Sequence, residues 1–301
     1  MENSDERFAV TVSKNAIAIN STLSILKLSA GVLGHSSAMI SDAVHTFSDT
    51  LSTIIVIIGV KLANKESDKE HPYGHERFEC VAAIILAAVL FMTGVGIGVD
   101  GVKKIFFTKL AADGAANPGL IALAAAVLSI AVKEAMYRYT KFAAKKIDSG
   151  ALMADAWHHR SDALSSIGSF IGILGAKLGF AFFDPLAGIV ICLFILKTAV
   201  DIFMDAVGKM TDRSCPELMT DEIRGVILTQ NGVIGIDQIR TRAFGNKVYM
   251  DLEISANENV NLRDAHEIAH RVHDIIERRF PKVKHCMVHV NPVAADDSKL
   301  D

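Results

Sequence analysis

Six long apolar stretches limit what the N-terminal part of this chain can fold into. They carry few or no charged residues and cover 15–34, 37–62, Cys80–Val99, Gly114–Val132, 150–176 and 185–207. A helix needs about 20 mostly apolar residues to cross a bilayer. Because the bilayer core offers no water, the backbone N–H and C=O groups must hydrogen-bond within a helix or a closed barrel. The sequence therefore predicts a membrane α-helical bundle of six transmembrane helices over residues 15–208, after a polar lead at 1–14.

The rest of the chain is polar and mixed, as expected of one small soluble domain over residues 209–293. Its patterns predict, in order, a helix, two strands, a helix and a strand at 216–230, 233–242, 247–255, 262–280 and 283–290. This αββαβ order predicts a ferredoxin-like α+β domain with both helices on one side of a small sheet. Residues 294–301 have the composition of a flexible tail.

Composition excludes several classes of protein. The mean hydropathy of +0.33 is too high for an ordinary soluble protein, and a net charge of -3 gives no argument for a nucleic-acid partner. The four cysteines form no CxxC pair, so neither a disulfide framework nor a cysteine zinc knuckle is expected. The start of the chain is polar up to Phe8, which predicts no cleavable signal peptide.

One motif occurs twice, in the second and the fifth apolar stretches. The pattern D-A-x-H-x-x-S-D-x-L-S-x-I runs from Asp42 to Ile54 and again from Asp155 to Ile167. Its length makes a chance match improbable, so we interpret it as an internal repeat. Each copy places a histidine four residues before an aspartate, His45 with Asp49 and His158 with Asp162, which on a helix puts both on one face.

Imidazole and carboxylate are ligands for divalent cations such as zinc, and two copies together offer enough groups for a tetrahedral site. The alternative is that each paired histidine and aspartate merely joins two helices. Ionisable groups in strongly apolar surroundings are usually functional, which favours the metal site.

The distribution of basic residues predicts the orientation of the bundle. Lysine and arginine concentrate in 63–79 and 138–146, which places these segments and both termini in the cytoplasm. The two motif copies then run antiparallel, as in inverted-repeat transporters. At 1.5 Å per residue both copies lie roughly 12–18 Å deep, near the middle of the bilayer.

Two further histidine patterns lie outside the apolar stretches. Asp68, His71 and His75 follow the second stretch at spacings that suit a second metal site, although a solvated loop explains them too. His266 and His270 belong to an H-E-x-x-H sequence, the zinc-protease motif. A domain this small offers little room for a substrate cleft, so a regulatory metal site using His266 or a solvated helix edge is preferred over protease activity.

The paired H-x-x-x-D motifs, six apolar stretches, the Asp68 loop and the αββαβ domain resemble the cation diffusion facilitator family over essentially the whole chain. The resemblance implies a homodimeric, multi-pass protein of the plasma (inner) membrane that is not an enzyme. It implies efflux of divalent cations, most simply zinc, by exchange for protons. Export of iron, manganese or cadmium, or a membrane metal sensor without flux, remains open.

By position, the resemblance implies a transport site of His45, Asp49, His158 and Asp162 and a loop site of Asp68, His71 and His75. It also implies a cytoplasmic-domain site, which would consist of Asp251, His266 and His289. The chain departs from the family's two-metal cytoplasmic site at Ile236 and Asn291, where the family has histidine and aspartate. One metal ion per subunit, with His285 or Cys286 as a candidate further ligand, is therefore expected in that domain.

Overall fold

A computed structural model describes residues 4–33, 37–106, 120–177 and 183–294 of the chain. The chain divides into two compact units, Met1–Val207 and Gly208–Asp301, each of which is described by itself.

The first unit consists of six helices in its described residues. They are α1 (Ser4–Leu33), α2 (Ser37–Ala63), α3 (Arg77–Phe106), α4 (Leu120–Ile147), α5 (Gly150–Lys177) and α6 (Phe183–Met210). Each has 27–30 residues. At 1.5 Å per residue this is about 40–45 Å, longer than a hydrocarbon core of about 30 Å. Helix α1 packs on α2 and α4, while α5 packs on α2, α3 and α4.

Each of the six helices overlaps one of the six apolar stretches of the sequence. Among the described residues one helical segment, Arg77–Val99, combines spanning length with high mean hydropathy, 2.6, and Ser52–Ala63 is a shorter apolar segment. Helix α1 already begins at Ser4, within the polar lead. The basic segment 138–146 is not a loop, because α4 continues to Ile147 and the turn before α5 is short.

Polar and apolar side chains are distributed in this unit as in a membrane bundle. Large apolar side chains face outward, among them Leu33 and Met92, of which about three quarters is exposed (75% and 73%). Ionisable side chains are buried instead, and they include Lys27, Asp49, Lys133, Asp155, His158, His159 and Asp162. Burying charge is costly unless the charges pair with one another, so these side chains mark the part of the bundle with a specific role.

Glycines allow helix α3 to approach α6 closely. A Cβ atom added at Gly98 would lie 2.5 Å from Cys192 Sγ, and one added at Gly94 would lie 3.0 Å from Ile195. Gly96, between them on α3, faces open space. Gly94 and Gly98 therefore lie at a close contact between α3 and α6, where small residues let two helices approach each other.

We expect Gly98→Ala to destabilise the bundle and Gly96→Ala to leave its stability unchanged or slightly higher. The added methyl group at position 98 overlaps the Cys192 thiol, which costs about 1–3 kcal/mol when a packed core cannot move aside. The matched methyl group at position 96 meets nothing. Thermal unfolding of the two purified variants in one detergent measures the difference. Equal unfolding temperatures would contradict the α3–α6 contact.

The second unit contains the five elements that the sequence predicts. They are α7 (Glu217–Leu228), β1 (Gly235–Phe244), β2 (Lys247–Asn257), α8 (Leu262–Arg279) and β3 (Val283–Val293). The sheet has the order β1-β2-β3 and is mixed, since β2 pairs antiparallel with β1 and parallel with β3. Gly245, at φ 64°, forms the hairpin turn between β1 and β2.

Both helices cover the same face of this sheet. Met250, Leu252 and Ile254 alternate along β2 and pack against apolar residues of α7 and α8, including Ile227 and Val272. Helix α8 begins with Asn261, whose side chain accepts a hydrogen bond from the Asp264 backbone N–H. The opposite face of β2 carries Asp251 and Glu253, side chains that a buried face would not tolerate unpaired.

Candidate metal centre

The two copies of the repeated motif meet inside the first unit. His158 Nε2 on α5 lies 3.4 Å from Asp49 Oδ1 on α2. The ligand atoms of Asp49, His158 and Asp162 lie within 4.8 Å of one another, and all three residues are buried. The backbone of His45 belongs to α2, one turn before Asp49, but its side chain lies outside the described part of the chain. The structure thus brings together three of the four residues expected at this site.

The two helices run antiparallel where the motifs meet. Asp49 contacts His158, and four residues further along α2 the Thr53 hydroxyl donates to Asp155 Oδ1 at 3.2 Å. The residue numbers rise along α2, from Asp49 to Thr53, while those of their partners on α5 fall, from His158 to Asp155. The two helices are therefore antiparallel, as predicted. The same register places a second buried pair, Asp155 Oδ2 and His159 Nε2 at 3.6 Å, beside the triad.

Lys133 is the residue of this site that sequence reasoning missed. Its Nζ atom donates to Asp49 Oδ2 at 2.6 Å and to Asp162 Oδ2 at 2.9 Å, and its side chain is 2% exposed. The fourth apolar stretch ends at Val132, so Lys133 reads in the sequence as the first residue past a span. Helix α4 continues to Ile147, which makes Lys133 a mid-helix residue. A helical pattern that continues past Val132 is the sequence signal that would have placed Lys133 inside the helix.

The charges at this site favour exchange of one cation for another. Asp49 and Asp162 carry two negative charges, of which Lys133 neutralises one. A divalent cation bound to both carboxylates neutralises both, and adding it beside the ammonium would leave an uncompensated positive charge in an apolar interior. A dication that bound both carboxylates would therefore have to displace the Lys133 ammonium.

A second buried lysine contacts the first motif copy from α1. Lys27 Nζ donates to Thr46 Oγ1 at 2.8 Å, and nearby Ser24 donates to the carbonyl oxygen of Ala43 at 2.7 Å. These bonds fix α1 against the segment of α2 that carries Asp49.

The loop residues Asp68, His71 and His75 are also brought together. Asp68 lies 3.5 Å from His71 Nδ1 and 3.5 Å from His75 Nε2, and the two rings are 4.4 Å apart. Gly74, at φ 101°, makes the turn that returns His75 toward Asp68. A hydrogen bond from Lys65 and backbone bonds hold the pKa of Asp68 well below its usual range, so this carboxylate is ionised at neutral pH.

The cytoplasmic-domain residues expected from the family resemblance do not form one ligand set within a protomer. Asp251 and His289 lie on β2 and β3 and are exposed, and His266 is exposed on α8. These three are not among the described groups of ligand atoms that converge within 4.8 Å. Asn291 has another role, because its amide donates to Asp237 Oδ2 at 2.7 Å, linking β3 to β1.

The H-E-x-x-H sequence does not form a protease site in the described residues. The His266 and His270 rings are 6.2 Å apart at the exposed surface of α8. His270 instead contacts Asp274 at 3.3 Å, and no third ligand joins the two histidines among the described groups. The metal-protease alternative therefore lacks the three-ligand site that it requires.

Comparison with known proteins assigns a family to both units. Residues 13–210 match the cation efflux transmembrane domain, and residues 215–293 match the cytoplasmic domain of cation efflux proteins. The chain is 37% identical over 278 residues to an uncharacterized transporter of Methanocaldococcus jannaschii, covering 92% of this chain and 96% of that protein.

Two further relatives carry more specific names. The chain is 34% identical to metal tolerance protein C1 of Arabidopsis thaliana, covering 90% of this chain and 59% of that protein. It is 32% identical to the manganese efflux system protein MneS of Bacillus subtilis, covering 92% of this chain and 93% of that protein. Because the two family models cover both units and the relatives align along most of the chain, this protein belongs to the cation diffusion facilitator family of integral membrane transporters for divalent metal cation efflux.

Proposed function

We propose that this protein exports divalent metal ions, zinc foremost, from the cytoplasm in exchange for protons. All six helices α1–α6 cross the bilayer in this proposal. The transport site consists of Asp49, His158 and Asp162, with His45 as the fourth ligand. The observation that carries the proposal is a buried group of convergent metal ligands whose two carboxylates are held by the single ammonium of Lys133.

The spacing of the ligands supports metal binding over simple helix pairing. Zinc bonds of about 2.0–2.2 Å in tetrahedral geometry place neighbouring ligand atoms about 3.4 Å apart. His158 Nε2 and Asp49 Oδ1 are 3.4 Å apart, beyond the usual range of an N–H···O hydrogen bond. The alternative in which the motif only joins two helices predicts shorter contacts.

Zinc is proposed because imidazole nitrogen mixed with carboxylate oxygen suits a borderline cation. Manganese is the second candidate, favoured by the two carboxylates and by the manganese-efflux relative MneS. Proton exchange follows from ligand chemistry. A histidine ligand must be neutral to bind metal, so binding releases protons, and protons arriving from the other side displace the ion.

The remaining assignments depend on charge distribution and on the family. The lysine and arginine residues near α2–α3 and at the end of α4 support a cytoplasmic position for those helix ends and for both termini. The plasma (inner) membrane and a homodimer, joined through the cytoplasmic domain, are proposed on the same family grounds. Asp68, His71 and His75 form a second, more exposed metal position in the cytoplasmic loop before α3.

A flux assay tests this proposal. Purified protein in sealed liposomes that contain a metal-sensitive dye is given external zinc and an acidic lumen, with manganese, iron and cadmium as competitors. We expect dye response that needs both the protein and the pH gradient, with zinc entering fastest. Metal binding without dye response would support a sensor instead, and faster entry of manganese would assign the second candidate.

A further inference from the structure

A third group of metal-ligand side chains lies at the edge of the cytoplasmic domain, where α8 packs against β3. His273 and Glu277 are one turn apart on α8, and His285 is near the start of β3. Their ligand atoms lie within 4.8 Å of one another. We propose that His273, Glu277 and His285 bind one divalent cation of the zinc class within a single protomer.

The distances around Glu277 match a shared ion better than a hydrogen-bonded network. Glu277 Oε1 is 3.3 Å from His273 Nε2 and 3.6 Å from His285 Nδ1. Ligand atoms around a tetrahedral zinc ion are about 3.4 Å apart, given bonds of about 2.0–2.2 Å. Direct N–H···O hydrogen bonds are usually shorter, about 2.7–3.2 Å. The three side chains are therefore spaced as ligands of one ion.

The backbone of β3 orients two of these ligands. His273 Nδ1 lies 2.7 Å from the carbonyl oxygen of Cys286, so the proton of the neutral ring sits on Nδ1. Nε2 then keeps its lone pair and faces Glu277. The Cys286 N–H donates to Glu277 Oε1 at 3.2 Å and fixes the carboxylate. A histidine that donates its second ring nitrogen to a carbonyl is the usual arrangement at bound metals.

The Cys286 thiol is not a ligand. Its side chain lies in the core between α8 and the sheet, on the other side of β3 from His285. The three ligand side chains are one third to one half exposed, which gives cytoplasmic metal direct access and leaves the fourth position to water.

This site is distinct from the expected set of Asp251, His266 and His289, with which it shares no residue. It also differs from the transport site because it needs only the cytoplasmic domain. Since its ligands come from α8 and β3, a bound ion joins the last helix to the edge strand and stabilises the folded domain.

Protection of histidines from diethylpyrocarbonate in the full-length protein in detergent tests the proposal. Peptide mass spectrometry resolves each histidine, so zinc bound elsewhere does not confuse the result. At zinc concentrations about ten times the dissociation constant we expect His273 and His285 to react about tenfold more slowly, since only the free fraction reacts. His270 pairs with Asp274 without a ligand from β3, and it should react equally fast with and without zinc.

Two matched variants decide between a metal site and a surface network. Glu277→Gln keeps the size of the side chain but removes its charge, and it should abolish zinc protection of His285. Asp274→Asn also replaces a carboxylate with an amide, at the residue next to His273 on α8, and should leave the zinc protection of His285 intact. Equal labelling of His285 with and without zinc in the unaltered protein, protection that persists in Glu277→Gln, or zinc protection of His266 and His289 in place of His285 would overturn the proposal.

Discussion

Replacing Asp162 with asparagine is expected to reduce metal flux by about 100-fold or more, because ligand-sphere changes of lesser severity already cost 10–100-fold in affinity. The change preserves the shape of the side chain and removes one of the two negative charges. Lys133 then fully neutralises Asp49, with which it makes a 2.6 Å contact. A dication entering this site would find a single carboxylate that already has a partner.

Flux into dye-loaded liposomes under a pH gradient measures the effect. Asp201→Asn is the matched control, because Asp201 is an exposed aspartate on α6 whose partner is Lys197, away from the triad. Size-exclusion profiles of both variants establish that they remain folded. Flux in Asp162→Asn equal to that of Asp201→Asn would remove Asp162 from the transport site.

The sequence was sufficient for the parts of this molecule that depend on local patterns. The repeated motif predicted that Asp49, His158 and Asp162 lie together, because two identical spacings on two helices leave few ways to bury the polar faces. The loop residues Asp68 and His75 were also found, since the turn between them is encoded by neighbouring residues. The five elements of the cytoplasmic domain followed from periodicity, with differences of a few residues at their ends.

What the sequence left undetermined depends on contacts between distant residues. Lys133 is 84 positions from Asp49 and 29 from Asp162, on a helix outside the repeat. Its position directly after an apolar stretch suggested a helix end. In the cytoplasmic domain, the H-E-x-x-H pattern suggested a metal ligand at His266, which lies on the exposed part of α8. The convergent side chains instead include His285, which reaches α8 only once β3 pairs with β2.

Replacing Lys133 with methionine is expected to raise metal affinity while slowing transport. In the native protein the ammonium holds both carboxylates when no metal is bound, at 2.6 and 2.9 Å. Without it the metal-free state buries two carboxylates that have lost their ammonium partner, and removing one partner of a buried ion pair costs about 3–5 kcal/mol. Metal binding relieves that cost, so zinc should bind at least about 100-fold more tightly, each factor of ten being about 1.4 kcal/mol.

Tighter binding acts against turnover, because an exporter must also release its ion. Calorimetry should show higher zinc affinity in Lys133→Met, unfolding at a lower temperature without zinc, and recovery with zinc, while liposome flux falls. Lys141→Met is the matched control on the same helix, since Lys141 contacts Tyr137 rather than the carboxylates and should change neither affinity nor flux. Unchanged zinc affinity in Lys133→Met would show that the ammonium does not compete with the metal. Lys133 would then only hold α4 against the two motif helices, and the exchange of one cation for another would not be the basis of release.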